Sequence, residues 1–255
     1  MKITVIGAGA MGGAFIDGLL ASGFKASDIT ATRRNSSALE PWAAKGVHTT
    51  TDNVMAARWA DMVVLAVKPW MVKDVLMLIY PVLDKQILVS FAAGLPGKDL
   101  KLMAGTEIPT FIVIPNTAIA ICRSMSFIVP VKATEEETEK IRGLFDRLGE
   151  SIVTDEAHLS AGTALASCGI AYAMRYIRAA SEGGVELGFK ASEAERIVIQ
   201  TVRGAAELLK HSGKHPEEEI DKVCTPGGIT IRGLNEMEHS GFSSAVINGL
   251  KASVK

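Results

Sequence analysis

Short continuous apolar runs alternate with helical stripes over the first part of the chain. Ile3–Ile6 is a compact run that ends in glycine, and Asp28–Thr32 is a weaker strand candidate. Met62–Val67 and Ile87–Phe91 are strong candidates, followed by Phe111–Ile114, Phe127–Val129 and Ser151–Val153. Apolarity that is continuous rather than alternating predicts strands covered on both faces, as in a parallel sheet layered between helices. The strand–helix rhythm predicts a doubly wound α/β domain. Thr134 and Glu137 have capping-box spacing, and Ile141, Leu144, Phe145 and Leu148 then form one apolar stripe. Gly149 is placed to end that helix.

The character changes after residue 154. From His158 to His211 there are almost no strand-like runs, and Ala, Leu, Ile, Glu and Arg dominate. Ser192 and Glu195 repeat the capping-box spacing before a helix expected to reach Lys210, and Ser212–Pro226 is expected to be a loop or short turn before further helices. Ala161–Ala171 is apolar nearly all round, so it must be buried in this chain or against a second subunit. The expected plan is an α/β domain over 1–154 and an all-helical domain over 155–255, the latter suited to dimerisation.

Composition narrows the function classes. Of 255 residues, 48% are apolar and 22% charged, with a formal net charge of -1, so a basic face for nucleic acid is disfavoured. Cys122, Cys168 and Cys224 form no CxxC pair, which predicts free buried thiols in a reducing cytosol. Met1–Ile6 lacks the layout of a signal peptide, and no apolar stretch reaches the roughly 18–20 uncharged residues of a membrane span. The expectation is a soluble cytoplasmic protein without nucleic-acid or membrane partners. His211 and His215 are spaced as metal ligands on a helix, but Gly213 and Pro216 interrupt it and no third ligand lies near, so no metal is expected. His158 reads as structural, Glu135–Glu137 as a helix start suited to the dipole, and Arg175 with Arg178 as an exposed face or subunit contact.

Candidate chemistry begins at Gly7-Ala8-Gly9-Ala10-Met11-Gly12, a GxGxxG directly after a strand and opening a helix through Leu20. Gly7 permits a tight turn, Gly9 close approach of a pyrophosphate, and Gly12 close helix–strand packing, while the helix N-terminus offers free N–H groups to the anion. The second strand ends Thr32-Arg33-Arg34-Asn35-Ser36, without the acid that would accept from a ribose 2′-hydroxyl. Guanidinium groups there suit a 2′-phosphate, which favours NADPH, with NADH as the alternative.

Three further segments carry a family likeness. Leu65-Ala66-Val67-Lys68-Pro69 looks like the Leu-Ala-Val-Lys-Pro of pyrroline-5-carboxylate reductases, and Pro115-Asn116-Thr117 resembles the core of their Met-Pro-Asn-Thr-Pro turn. Asp221–Glu238, containing Thr225-Pro226-Gly227-Gly228-Ile229-Thr230, is similar to the family segment around Ser-Pro-Gly-Gly-x-Thr, and Glu182–Gly188 fits its Asp-Gly-Gly-Val-x-x-Gly layout. The resemblance implies a Rossmann-type domain, then a helical domain that dimerises by interleaving, with substrate where one subunit's helices meet a nicotinamide site. It implies a homodimer at minimum and leaves a higher assembly of dimers open. Carried across by position, Thr225, Pro226, Gly227, Gly228 and Thr230 would hold the substrate. Asn35, Asn53, Ala66, Val67, Lys68, Pro69, Ala93 and Asn116 would join the glycine motif and Arg33 and Arg34 in the cofactor pocket. The chain departs from the family at Ser167-Cys168-Gly169-Ile170-Ala171-Tyr172, where Gly-Ser-Gly-Pro-Ala-Tyr is usual, at Ala118 for proline and at Thr225 for serine.

The implied reaction is NADPH-dependent reduction of the cyclic imine 1-pyrroline-5-carboxylate to L-proline, the last step of proline biosynthesis. A planar imine needs its carboxylate fixed, its nitrogen protonated and hydride delivered to one face. Gly227 and Gly228 before a helix leave backbone N–H groups open to a carboxylate, and Thr230 on the first turn is the candidate catalytic residue, hydrogen-bonding the ring nitrogen or a proton-donating water. Two alternatives stand beside it. One is a reductase of another imine or small acid on the same plan; β-hydroxyacid dehydrogenases use a lysine on a central helix, and Gly169–Ala180 has none. The other is a dinucleotide-binding regulatory paralogue without turnover.

Overall fold

The computed structural model describes residues 1–105 and 108–254, which fall into two compact units, Met1–Ser167 and Cys168–Lys255. The first holds one eight-stranded sheet in the order β3-β2-β1-β4-β5-β6-β7-β8. Its strands are β1 (Ile3–Ile6), β2 (Ile29–Thr32), β3 (His48–Thr50), β4 (Met62–Leu65), β5 (Ile87–Ser90), β6 (Thr110–Ile114), β7 (Ser124–Lys132) and β8 (Gly149–Val153). All neighbours pair in parallel except β6 and β7, which run antiparallel with Ile112 opposite Val129.

Helices α1 (Ala10–Ala21), α2 (Glu40–Ala43), α3 (Asn53–Trp59), α4 (Val72–Ile79), α5 (Gly97–Ala104), α6 (Glu135–Asp146) and α7 (Glu156–Gly162) surround the sheet. Successive residues of a strand point to opposite faces, and here both faces are apolar layers. Met62 and Val64 join Phe15, Ile16 and Phe145 on one side, whereas Val63 and Leu65 join Leu76, Ile79 and Leu100 on the other. That two-sided burial is why β1, β2, β4, β5 and β6 carry unbroken runs. Phe15 meets Phe91 edge-on at 5.2 Å and stacks on Phe145 at 5.8 Å, which pins α1 and α6 to the same sheet face.

The structure alters several sequence expectations. β3 was not anticipated, because its residues are polar, exposed edge positions with no apolar run to announce them. β7 is longer than Phe127–Val129; its extra inward positions are Ser124 and Ser126, whose buried hydroxyls pair at 3.0 Å. The Thr134–Glu137 capping box forms, but α6 stops at Asp146 and Gly149 instead opens β8. Gly149 has φ +146, and a Cβ there would lie 2.1 Å from the Ser124 carbonyl oxygen, so glycine serves strand pairing and not the helix stop. His158 is structural: its ring and its backbone N–H both bond the carboxylate of Asp155, the N-cap of α7, and these bonds hold Asp155 below the ordinary carboxylate range.

Residues Thr163–Cys168 form a π-helical turn after α7. The second unit is wholly helical among its described residues: α8 (Gly169–Glu186), α9 (Ala191–Ser212), α10 (Pro216–Val223), α11 (Ile229–His239) and α12 (Phe242–Ala252). The Ser192–Glu195 box does not form. Gly184 lets α8 approach Ala194 so closely that a Cβ would sit 2.9 Å away, and α9 starts two residues early, at Ala191 after Lys190. Within Ser212–Pro226 lies α10 rather than plain loop: Pro216 opens it, as proline does at a first helical position, and His215 caps it by accepting from the Glu217 N–H at 3.3 Å. All three cysteines are free but half-buried rather than buried.

Among described residues 168–254, Ala194 alone is buried. Met174, Tyr176, Phe189, Ile199, Leu208, Phe242 and Ile247 are each at least 42% exposed, apart from Phe242 at 40%. Amphipathic helices in water without a covered face leave the main driving force of folding unused. No helix among the described residues is long and apolar enough to cross a membrane, and these faces lie on helices with charged residues interleaved.

Candidate functional site

A cleft of about 1140 Å³ opens at the carboxyl ends of β1, β2, β4 and β5. This is where strand order reverses between β1 and β4, the crevice in which open α/β sheets bind ligands. Its walls include Gly7, Gly9, Ala10 and Met11 from the β1–α1 loop, Arg33, Arg34 and Asn35 after β2, Asn53 from α3, Ala66, Val67, Lys68 and Pro69 after β4, and Ala93 after β5.

The three motif glycines do three separate jobs. Gly7 has φ +97, and a Cβ would lie 2.7 Å from Val67 Cγ1 and 2.9 Å from the Ala66 carbonyl oxygen. At Gly12 a Cβ would lie 2.3 Å from the Gly7 carbonyl oxygen, so this glycine lets α1 pack on its own entry loop. At Gly9 a Cβ would meet nothing within 4 Å; the space it would fill belongs to the cleft. Gly9 is the N-cap of α1 and supplies no side chain to its first turn, whose Ala10, Met11 and Gly12 N–H groups have no carbonyl one turn earlier in the helix. The helix therefore presents donors and a positive dipole end to the cleft.

Arg33 and Arg34 are exposed at the end of β2, and no acid pairs with either among the described residues. Arg34 Nη2 contacts Met71 Sδ at 3.7 Å, and Asn35 is occupied locally, accepting from the Ser37 N–H and hydroxyl at 3.1 and 2.8 Å. Three expected residues do not line the cleft. Ala8 and Gly12 are buried beneath it. Asn116 is 7% exposed, accepts from the Ala118 N–H at 3.0 Å and donates to the Ala166 carbonyl at 3.3 Å, while Ser167 Oγ donates to the Pro115 carbonyl at 3.2 Å. The Pro115–Asn116 turn is thus bonded to the π-helical turn.

Sequence reasoning missed one wall. Met71, Asp74, Val75 and Leu78 line the cleft from the start and body of α4. Their i, i+3, i+4, i+7 spacing is a single helix face, which was available as a signal once Lys68-Pro69 had been placed at a strand end. Thr32 and Thr51 were also missed.

In the second unit, Thr225-Pro226-Gly227-Gly228 is a tight turn into α11. Gly228 N–H donates to the Thr225 carbonyl at 2.9 Å, Gly227 has φ +71, and Gly228 is an N-cap without a side-chain cap bond. A Cβ on Gly228 would lie 2.6 Å from Thr225 Oγ1, so glycine is required for the turn to close. Ile229, Thr230 and Ile231 present uncapped first-turn N–H groups, and Thr230 is exposed. Among the described residues no group of three His, Cys, Asp or Glu side chains is placed to hold a metal.

Comparison with known proteins matches two family models to different parts of the chain. A family model for pyrroline-5-carboxylate reductase dimerisation matches residues 156–255, and one described as NADP oxidoreductase, coenzyme F420-dependent, matches residues 2–94. Pyrroline-5-carboxylate reductase 1 of Dictyostelium discoideum is 41% identical over 98% of this chain, which spans about half (48%) of that longer protein. Pyrroline-5-carboxylate reductase 2 of the same organism is 36% identical over 100% of this chain and 91% of its own length. The crystal structure of Plasmodium falciparum pyrroline carboxylate reductase with NADP bound superposes with a TM-score of 0.91 at 26% identity, covering 100% of this chain and 95% of that one. The sequence likeness over full-length relatives and the match of both units place this chain in the pyrroline-5-carboxylate reductase family.

Proposed function

We propose that this chain reduces 1-pyrroline-5-carboxylate to L-proline with NADPH, in the cytoplasm, as a homodimer at minimum. The observation that carries the cofactor half is the Gly9 position: space for a ligand, uncapped N–H groups beside it, and two acid-free arginines at the end of β2. A dinucleotide fits this set. Its pyrophosphate would lie against Gly9, Ala10 and Met11, its 2′-phosphate against Arg33 and Arg34, and its nicotinamide half toward Ala66–Pro69 and Ala93. Bound there, the reduced cofactor supplies the hydride.

The chain's own residues would then bind, orient and protonate. The first turn of α11 grips the substrate carboxylate through backbone N–H groups that Gly227 and Gly228 leave uncovered. Thr225 and Pro226 shape the turn, and the Thr230 hydroxyl hydrogen-bonds the ring nitrogen or the water that protonates it. An alcohol is too weak an acid to be the proton source by itself, so Thr230 orients and solvent delivers. Most of the acceleration comes from holding the imine against the hydride donor. The homodimer is supported by the small core of the second unit taken alone and by the matching dimerisation-domain family model.

The test is NADPH consumption by the purified chain with pyrroline-5-carboxylate, NADH alongside and proline identified as product. Proline formed faster with NADPH is the expected result. Cofactor binding without turnover on this imine would remove the substrate assignment and leave the cleft reading intact.

A further inference from the structure

We propose that Thr32 is a positioning residue for the cofactor: it sets the side-chain amide of Asn53 so that the NH2 group, and not the carbonyl oxygen, serves the cleft. The inference rests on the dinucleotide reading of that cleft given above. Thr32 is the last residue of β2 and is 1% exposed. Its Oγ1 donates to Asn53 Oδ1 at 2.6 Å, a short and well-made bond. Its carbonyl oxygen accepts from the Gly7 N–H at 3.1 Å and the Ala8 N–H at 2.9 Å. One buried residue therefore ties the end of β2 to the glycine loop through its backbone and to α3 through its side chain.

Asn53 is the partner that gains meaning from this. It opens α3, whose first turn is fixed by the Asp52 carboxylate accepting from the Val54 and Met55 N–H groups at 2.9 and 3.0 Å. Asn53 is half-buried and lines the cleft, and its amide nitrogen has no protein partner among the described residues. A primary amide presents donors on one side and an acceptor on the other. With Oδ1 engaged by Thr32, the donors remain for the ligand, and the position beside the end of β2 is where a doubly wound domain holds the adenosine ribose. The ligand atoms that such donors suit are ribose or phosphate oxygens. A free amide could rotate its acceptor into the same place and repel an anion; the Thr32 hydroxyl, donating to Oδ1, holds the amide with its carbonyl oxygen engaged and its donors free.

The experiment is NADPH titration by fluorescence, without substrate, on the full chain and on T32V, T32S, N53A and T32V/N53A, each shown folded by its melting curve. Valine matches the shape of threonine and lacks the hydroxyl. T32V is expected to bind NADPH about 3- to 10-fold more weakly, the size of one neutral hydrogen bond. T32S should bind within about 2-fold of the parent, since the donor is restored. In the N53A background the T32V change should have no further effect, because the group it positions is gone. Equal affinity of T32V and parent, or a T32V loss that persists undiminished with Ala at 53, overturns the proposal; the second outcome would assign Thr32 to strand packing. A parent chain that binds no NADPH would overturn the cofactor reading itself, a result separable from either of these.

Discussion

Alanine at Gly9 and alanine at Gly12 should fail in opposite ways, although both break the same motif. At Gly12 the new Cβ would stand 2.3 Å from the Gly7 carbonyl oxygen and 3.0 Å from Ala66 Cβ. Ordinary C···O approaches are about 3.3–3.6 Å, so the backbone must part by about 1 Å with no rotamer to absorb it. Overpacking of that kind costs about 1–3 kcal/mol. At about 2–4 °C per kcal/mol for a chain of this size, the melting temperature should fall by about 2–12 °C. At Gly9 the methyl would meet nothing, and φ -91 with ψ -151 is extended backbone open to alanine. Its loss as an N-cap, up to about 1 kcal/mol, is offset by the smaller entropy of the unfolded alanine chain, about 0.4–1 kcal/mol. G9A should therefore melt like the parent. Its methyl occupies the approach of the pyrophosphate, and losing one charge-assisted hydrogen bond of about 1.5–3 kcal/mol weakens NADPH by about 10- to 150-fold. Calorimetric melting and NADPH titration on both variants give the comparison. The reasoning is refuted if G9A binds NADPH within about 3-fold of the parent, or if G9A is destabilised as much as G12A.

Three further outcomes are expected. R33A/R34A should lower affinity for NADPH by at least about 10-fold while changing NADH little; an unaltered ratio of the two dissociation constants would defeat the 2′-phosphate assignment. T230A should lower kcat by about 10-fold or more with NADPH affinity unchanged, and full activity would take Thr230 out of the reaction. Replacing Val246 and Ile247 of α12, 43% and 56% exposed, by glutamate should weaken self-association in sedimentation velocity, whereas a variant that stays fully associated shows that this face is free.

What the sequence makes legible depends on where the partner of each residue lies. The runs of β1, β2, β4, β5 and β6 are readable because those strands are covered on both faces within the first unit, so burial and sequence pattern coincide residue by residue, as at Met62–Leu65. The glycine motif is readable for the same reason: Gly7 and Gly12 face backbone close in the chain and in the next strand. Legibility fails where polar groups do structural work. β3 is polar and peripheral, the start of β7 turns on a buried serine pair, and Thr32 matters through a bond to a residue 21 positions away. A threonine at the end of a strand carries no mark that distinguishes a positioning hydroxyl from an ordinary β-branched residue.

The helical unit fails in a different way, and the failure is informative. Its helical character is legible in composition, but α10 falls where a loop is expected, and α9 begins at Ala191 rather than after the capping signal at Ser192. Apolar side chains also exceed what the chain covers: Ile197, Ile199 and Leu208 on α9 and Ile247 on α12 remain open. A sequence records that such a face must be buried but not by what; in the homodimer proposed above, the complementary surface would belong to a second copy. On that argument the residues proposed to hold substrate at the start of α11 sit in a unit whose stability would be tied to association, so T230A has to be compared with its parent at a concentration where both are assembled.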